Sequence, residues 1–299
     1  MGDLRLGVLG MSDGNGHPYS WSAIFNGYNP AFMKDCPFPV IYNYLKEQSF
    51  PEARLEGAQV THIWTQDIDL SKHIAKSSCI PNVVDHYSEM IGFVDAILLA
   101  RDDPENHFEM SKPFIEAGLP IFIDKPLSLS VSEAKDIFAM EKYHGQIYTC
   151  SSLLYAKEFS LSKDELSSLG EIKLIDATIP KSWEKYSVHI IEPVLNILSN
   201  QSSKTKSVIN TGYSDLNIVT VTLENDLKIL FRTLGKVSCP LSIRIYGNNG
   251  FRELVFRDTY YAFKTSLEQF LKGIRTRTCI IPRAKTLEVI DIIEKGLKK

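Results

Sequence analysis

The first 150 residues alternate short apolar runs with longer amphipathic stretches, and few folds are compatible with that rhythm. Runs over 4–9, 60–64, 94–100 and 120–123 are the length of strands and nearly continuous in apolar content. Such runs suit parallel strands buried on both faces, each followed by a helix that covers the sheet. Helix ends are readable between them. Asp103-Pro104 supplies an N-cap and a proline for the first helical position, and Gly118 stands where that helix should stop. Pro113 inside the span should kink it. Ser130-Val131-Ser132-Glu133 has capping-box spacing and opens a second helix that should end at Gly145.

After about Ser152 the pattern changes. Segments around 172–179, 206–212, 216–223, 227–234, 241–246 and 251–256 read as strands joined by short turns. Asp215, Asn225-Asp226 and Gly247-Asn248-Asn249-Gly250 are the expected turn tips. Strands in succession without intervening helices predict an open, mostly antiparallel sheet. One helix, 185–199, precedes them, and another, 283–297, follows. The fold class is therefore α/β, in two domains, 1–125 and 126–299.

Charge and composition narrow the function. Thirty-three basic residues against 36 acidic ones give a formal charge of −3, which offers no basic stripe to a nucleic acid. No apolar run approaches the roughly 18 residues of a membrane span. Met1 leads almost directly into the first strand, which predicts no signal peptide. Five cysteines at 36, 79, 150, 239 and 279 share no metal-ligand or CxxC spacing, which predicts reduced thiols and a cytoplasmic protein. His17, His62, His73, His86 and His144 form no i, i+4 constellation, so no metal is expected.

The first strand runs into Gly10-Met11-Ser12-Asp13-Gly14-Asn15-Gly16. A glycine-rich turn between a strand and a helix lets backbone N–H groups approach a pyrophosphate, as in a Rossmann domain. Gly10, Ser12, Gly14 and Gly16 are the candidates. The spacing is G-x-x-x-G-x-G, so the glycines can equally serve turn geometry alone. Thr65 or Asp67, after the second strand, are placed to meet the adenosine ribose. An Asp favours a free 2′-hydroxyl and repels a 2′-phosphate, so Asp67 leans towards NAD, with NADP left open. His17 and Trp21 follow the turn, placed either to touch substrate or nicotinamide or to pack the first helix.

The string over 94–100, His107, and Glu116 through Asp124-Lys125-Pro126-Leu127-Ser128 resembles the Gfo/Idh/MocA oxidoreductases, the family of glucose-fructose oxidoreductase and inositol dehydrogenase. The resemblance implies an N-terminal Rossmann domain with a doubly wound parallel sheet. It also implies a C-terminal α/β domain for substrate binding and oligomerisation, a bound NAD or NADP, and a sugar-like or cyclitol substrate. The family's Glu-Lys-Pro signature stands here as Asp124, Lys125 and Pro126, a carboxylate shorter by one methylene. The resemblance places His107 and these residues beside the cofactor and makes Lys125 catalytic.

Lys185-Tyr186-Ser187-Val188-His189-Ile190-Ile191-Glu192-Pro193 looks like the family's second signature, a helix that presents a histidine to substrate. On a helix, Lys185, His189, Glu192 and Asn196 share one stripe, apart from the apolar Val188, Ile191, Leu195 and Leu198. Many family members carry Asp four residues before the histidine, where Lys185 stands here, which leaves Glu184 or Glu192 as substitutes. Free His titrates near pH ~6.5 and free Lys near ~10.4, so His189 suits a general base and Lys125 a fixed cation for the developing alkoxide. Glu192 would modulate them, and Lys185 would meet substrate. The same fold also serves NAD-assisted epimerases, lyases and glycosidases without net redox change, and non-catalytic binding proteins. A homo-oligomer, dimer or tetramer, is expected.

Overall fold

The computed structural model describes residues 2–199 and 204–298. The chain divides into two compact units. The first holds 1–128, 135–149 and 263–283, and the second 129–134, 150–262 and 284–299.

In the first unit, β1 (Leu4–Leu9) leads to α1 (His17–Asn26), α2 (Pro30–Met33) and α3 (Pro39–Lys46). Then come β2 (Ala58–Trp64), α4 (Ile68–Ser77), β3 (Asn82–Val83), β4 (Ala96–Leu99), α5 (His107–Glu116) and β5 (Ile121–Ile123). After α6 (Val131–Ala139), β6 (Ile147–Tyr148) pairs parallel to β5, which is why this later segment belongs to the first unit. The sheet order is β3-β2-β1-β4-β5-β6, all parallel. Leu6, Val8, Leu9, Ile97, Leu98, Leu99 and Ile121 through Ile123 are fully buried, the condition that nearly unbroken apolar strands meet. Strand order reverses between β1 and β4, whose last residues Leu9 and Leu99 are register partners. Loops leaving that edge line the crevice where such sheets bind ligands.

Asp103 does not cap a helix. Its carboxylate is taken by Arg101 and Asn106, a 3-10 turn covers Pro104–Asn106, and α5 starts only at His107. Pro113 lies inside α5, where it withdraws the N–H that would reach Glu109. Gly118, at φ 82°, ends the helix as its position predicts.

The second unit contains α7 (Lys163–Ser168), β7 (Ile172–Ile179), α8 (Trp183–Tyr186), α9 (Val188–Ile197) and β8 (Thr205–Asn210). It continues with β9 (Leu216–Leu223), β10 (Lys228–Leu234), β11 (Ser242–Gly247) and β12 (Gly250–Val255). Its sheet runs β12-β11-β7-β10-β9-β8, antiparallel except where β10 meets β7. Val188, Ile190, Ile191 and Val194 of α9 share one core with Ile175, Ala177, Val219, Val221, Ile229 and Phe231. The single helix expected over 185–199 is two, meeting at Ser187, and the second ends at Ile197. Two further helices complete the chain, α10 (Thr259–Thr276) and α11 (Arg283–Gly296). The first of these, 18 residues long, is absent from the sequence reading. No helix among the described residues is long and apolar enough to cross a membrane.

Candidate active site

The glycine turn after β1 uses its three glycines differently. A Cβ on Gly10 would fall 2.2 Å from Pro18 Cγ, and one on Gly16 would fall 2.5 Å from Ile41 Cδ1. These two let the turn press against the protein itself. Gly14 has φ 77° and open space where its side chain would be. Among the described residues, the backbone N–H groups of Ser12, Asp13, Gly14 and Gly16 donate to no protein atom. Successive unused N–H groups at the start of a helix fit a pyrophosphate, so the residues present suit a dinucleotide.

Asp124 and Lys125 leave the end of β5 towards different partners. The Asp124 carboxylate, 1% exposed, accepts from Asn15 Nδ2 at 2.8 Å and from the Lys125 N–H at 2.8 Å, and pairs with His17 Nδ1 at 2.6 Å. The Lys125 ammonium donates to Asp102 Oδ2 at 3.4 Å, with both side chains 4% exposed. Asp102 is fixed in turn by Ser12, whose Oγ donates to its Oδ1 at 2.6 Å and accepts its N–H at 3.0 Å. Thus Ser12 does not merely line the turn; it locks the carboxylate that holds Lys125. The Lys125–Pro126 peptide is cis.

At the end of β2 the expected ribose contacts are engaged by the protein. Thr65 Oγ1 donates to the Asp67 carbonyl at 2.6 Å and meets Ser71 Oγ at 2.8 Å. Asp67, exposed, caps α4 by accepting the N–H groups of Asp69 and Leu70 through Oδ1. Between them Gln66 clasps Met11, accepting its N–H at 3.0 Å and donating to its carbonyl at 2.7 Å. His107 is fully buried, with its ring nitrogens 3.0 Å from the Leu127 carbonyl and 2.8 Å from that of Arg101. It ties the loop after β4 to the loop after β5, so any effect on a ligand runs through those loops.

In the second unit, His189 Nδ1 meets Ser151 Oγ at 2.6 Å. Ser151 Oγ also accepts the Leu153 N–H at 3.1 Å, and the Ser151 N–H donates to Glu192 Oε2 at 2.6 Å. Glu192 therefore holds Ser151, and Ser151 holds the imidazole; the carboxylate is one residue removed from the histidine it was expected to orient. Burial pushes the Glu192 carboxyl up to about 8, the Ser151 N–H opposing only part of that rise. Pro193 stands four residues after His189 and has no N–H to return to the His189 carbonyl. Lys185 is half-buried on α8, four residues before His189, while Glu184 and Asn196 are exposed. Asp102, Asn15 and Ser151 escape the sequence reading; only their positions just beyond strand ends β4, β1 and β6 hint at them.

Among the described residues, no group of three or more His, Cys, Asp or Glu is placed to hold a metal ion. Residues 44–152 match the model of an oxidoreductase family with an NAD-binding Rossmann fold. No curated protein matches the chain. Solved structures share its fold at low identity. Scyllo-inositol dehydrogenase from Lactobacillus casei, with bound NAD(H) and scyllo-inositol, is 11% identical with a TM-score of 0.69, over 97% of this chain and 95% of that one. Myo-inositol 2-dehydrogenase from Lactobacillus plantarum is 12% identical, TM-score 0.71, over 98% and 95%. An oxidoreductase from Thermotoga maritima is 16% identical, TM-score 0.72, over 99% and 96%.

Proposed function

We propose that this chain, which belongs to the Gfo/Idh/MocA oxidoreductases through its segment 44–152, exchanges hydride between a nicotinamide dinucleotide and a secondary alcohol or ketone of a sugar-like or cyclitol substrate. The observation that carries the reading is Lys125, an ammonium buried at the carboxyl edge of the parallel sheet and held by Asp102. The bound dinucleotide would supply the hydride acceptor or donor. Gly14 and the N–H groups of Ser12, Asp13, Gly14 and Gly16 would hold its pyrophosphate, with Asp124 and Pro126 shaping the adjoining loop. Gly10 and Gly16 would keep the turn close enough to the protein to present them. Thr65, Gln66 and Asp67 form the adenosine side, and NAD is favoured by the carboxylate there.

Lys125 acts as a fixed cation for the oxygen on which charge develops as the hydroxyl proton and the hydride depart. His189, held by Ser151, which Glu192 holds in turn, takes the hydroxyl proton, and Lys185 adds a second cation for substrate oxygens. The polyol class is supported by the inositol that the L. casei enzyme binds. We place the protein in the cytoplasm as a homo-oligomer. Ile209, Ile218 and Phe251, exposed apolar residues of the second unit's sheet, support association, which sedimentation would measure.

The test is NADH formation on a panel of inositols and sugars. Changing Lys125→Met is expected to lower turnover by about 10²–10³-fold while NADH affinity stays within about threefold. Turnover near that of the wild type would remove the assignment. Product formed without net NADH would instead show transient oxidation.

A further inference from the structure

Hydride transfer beside Lys125 leaves one hydrogen-bonded pair of the first unit without a task. His17 opens α1 directly after the glycine turn, with its Nδ1 2.6 Å from Asp124 Oδ2. A carboxylate only accepts, so it keeps a proton on Nδ1 and makes Nε2 the atom that exchanges hydrogen bonds with anything else. The ring is also clamped. Trp21 stacks on it at 4.8 Å and 14°, and Phe263 meets it edge-on at 5.0 Å. Nε2 has no hydrogen-bond partner among the described residues, and it is not one of the sealed polar atoms of the interior.

Packing alone does not account for this arrangement. Asn15 and the Lys125 N–H already give the buried carboxylate two donors, so His17 is not needed to satisfy it. A ring that served only to fill space beside Trp21 and Phe263 would not require an aimed nitrogen. The direction of that aim follows from the sheet. With the order β2-β1-β4-β5, a dinucleotide crossing the edge lays its adenosine half towards β2 and its nicotinamide half towards β4 and β5. His17 leaves the turn after β1, and its ring is bonded to the residue that follows β5.

We propose that His17, aimed by Asp124, contacts the nicotinamide half of the bound dinucleotide through Nε2. The inference rests on the dinucleotide reading above and adds to it a residue that the glycine pattern does not include. It also gives Asp124 a duty distinct from that of Lys125.

The test is direct titration of the ligand-free protein with NADH, followed by its fluorescence, and with ADP, followed by calorimetry. His17→Phe keeps the aromatic stack and removes Nε2. It is expected to weaken NADH about tenfold, the loss of one hydrogen bond to a ligand, and to leave ADP within about twofold. Asp124→Asn is expected to shift NADH in the same direction and spare ADP. Should His17→Phe fail to fold, His17→Gln and Asp124→Asn read the same NADH-minus-ADP difference. Wild-type NADH affinity in these variants overturns the proposal, as does an equal loss of NADH and ADP, which would signify a distorted turn. A wild-type protein that binds neither NADH nor NADPH sinks the dinucleotide reading itself. Binding by the wild type with no change in the variants sinks only the role of His17.

Discussion

Lys125 Nζ and Asp102 Oδ2 stand 3.4 Å apart in a place where each side chain is 4% exposed. Removing two charges from water is costly, and their attraction repays the cost only if the remaining polar atoms are also satisfied. Ser12 does part of that by donating to the other carboxylate oxygen at 2.6 Å. The pair thus joins the turn after β1 to the loops after β4 and β5, and its stability and its chemistry can be separated by mutation.

Lys125→Met takes the ammonium away from the buried Asp102 carboxylate, which should cost about 3–5 kcal/mol of stability. Adding Asp102→Asn removes the carboxylate charge, so the double variant should recover most of the loss in a denaturant titration. It should not recover turnover, because the cation is still missing. A double variant no more stable than Lys125→Met would show that the two residues do not act as a pair.

Glu192 makes a prediction about pH. Burial pushes its carboxyl up to about 8, above the unfolded value near ~4.3. Between those two values the folded state holds the proton more tightly than the unfolded state does. Its contribution to stability is therefore complete below the unfolded value and is lost as pH rises through about 8. Glu192→Gln keeps an acceptor for the Ser151 N–H and removes the titration. Unfolding free energies of the two proteins, from denaturant titration, should diverge in favour of the variant between about pH 5 and 8.5, on the order of a few kcal/mol at the alkaline end. A difference that does not change with pH would contradict the buried carboxyl.

The glycine turn gives a contrast within one loop. Gly14→Ala meets open space and carries only the cost of its φ of 77°, about 1–2 kcal/mol. Gly10→Ala drives a methyl to within 2.2 Å of Pro18, a contact the turn can relieve only by moving. Thermal melts should therefore rank Gly10→Ala well below Gly14→Ala. NADH titration should show Gly14→Ala weakened beyond what its stability loss explains, since the added methyl enters the open side of the turn. Equal melts for the two would show that the turn is looser than its contacts indicate.

The parallel strands were legible because burial on both faces writes a continuous apolar run, and Lys125 was legible through the resemblance of Asp124-Lys125-Pro126 to a family signature after such a run. Helix α10 was not read because Lys264, Glu268, Lys272 and Arg275 interrupt the stripe formed by Tyr260, Leu267, Phe270 and Leu271. Site partners were harder still. Ser12 and Asp102 are 90 residues apart, and Ser151 and His189 are 38 apart, so no local spacing connects them. A carboxylate was sought for His189 at helical spacing, whereas the fold supplies a hydroxyl from beyond β6 and uses Glu192 to hold that hydroxyl's own backbone.

Ser151 is therefore the residue through which His189 should be tested. Its Oγ accepts the Leu153 N–H and meets His189 Nδ1, so Ser151→Ala removes a cap and an imidazole partner together. The cap alone accounts for about 1 kcal/mol of stability. The imidazole partner should appear elsewhere, as a changed tautomer balance in the nitrogen resonances of His189 and as a fall of about tenfold in kcat with little change in KM. Ser151→Thr should restore both, because φ −70° and ψ 133° at this position are extended values that a β-branched residue adopts readily. If Ser151→Ala loses stability while the His189 resonances and kcat stay as in the wild type, Ser151 is a cap and nothing more, and the chain from Glu192 to the imidazole has no part in turnover.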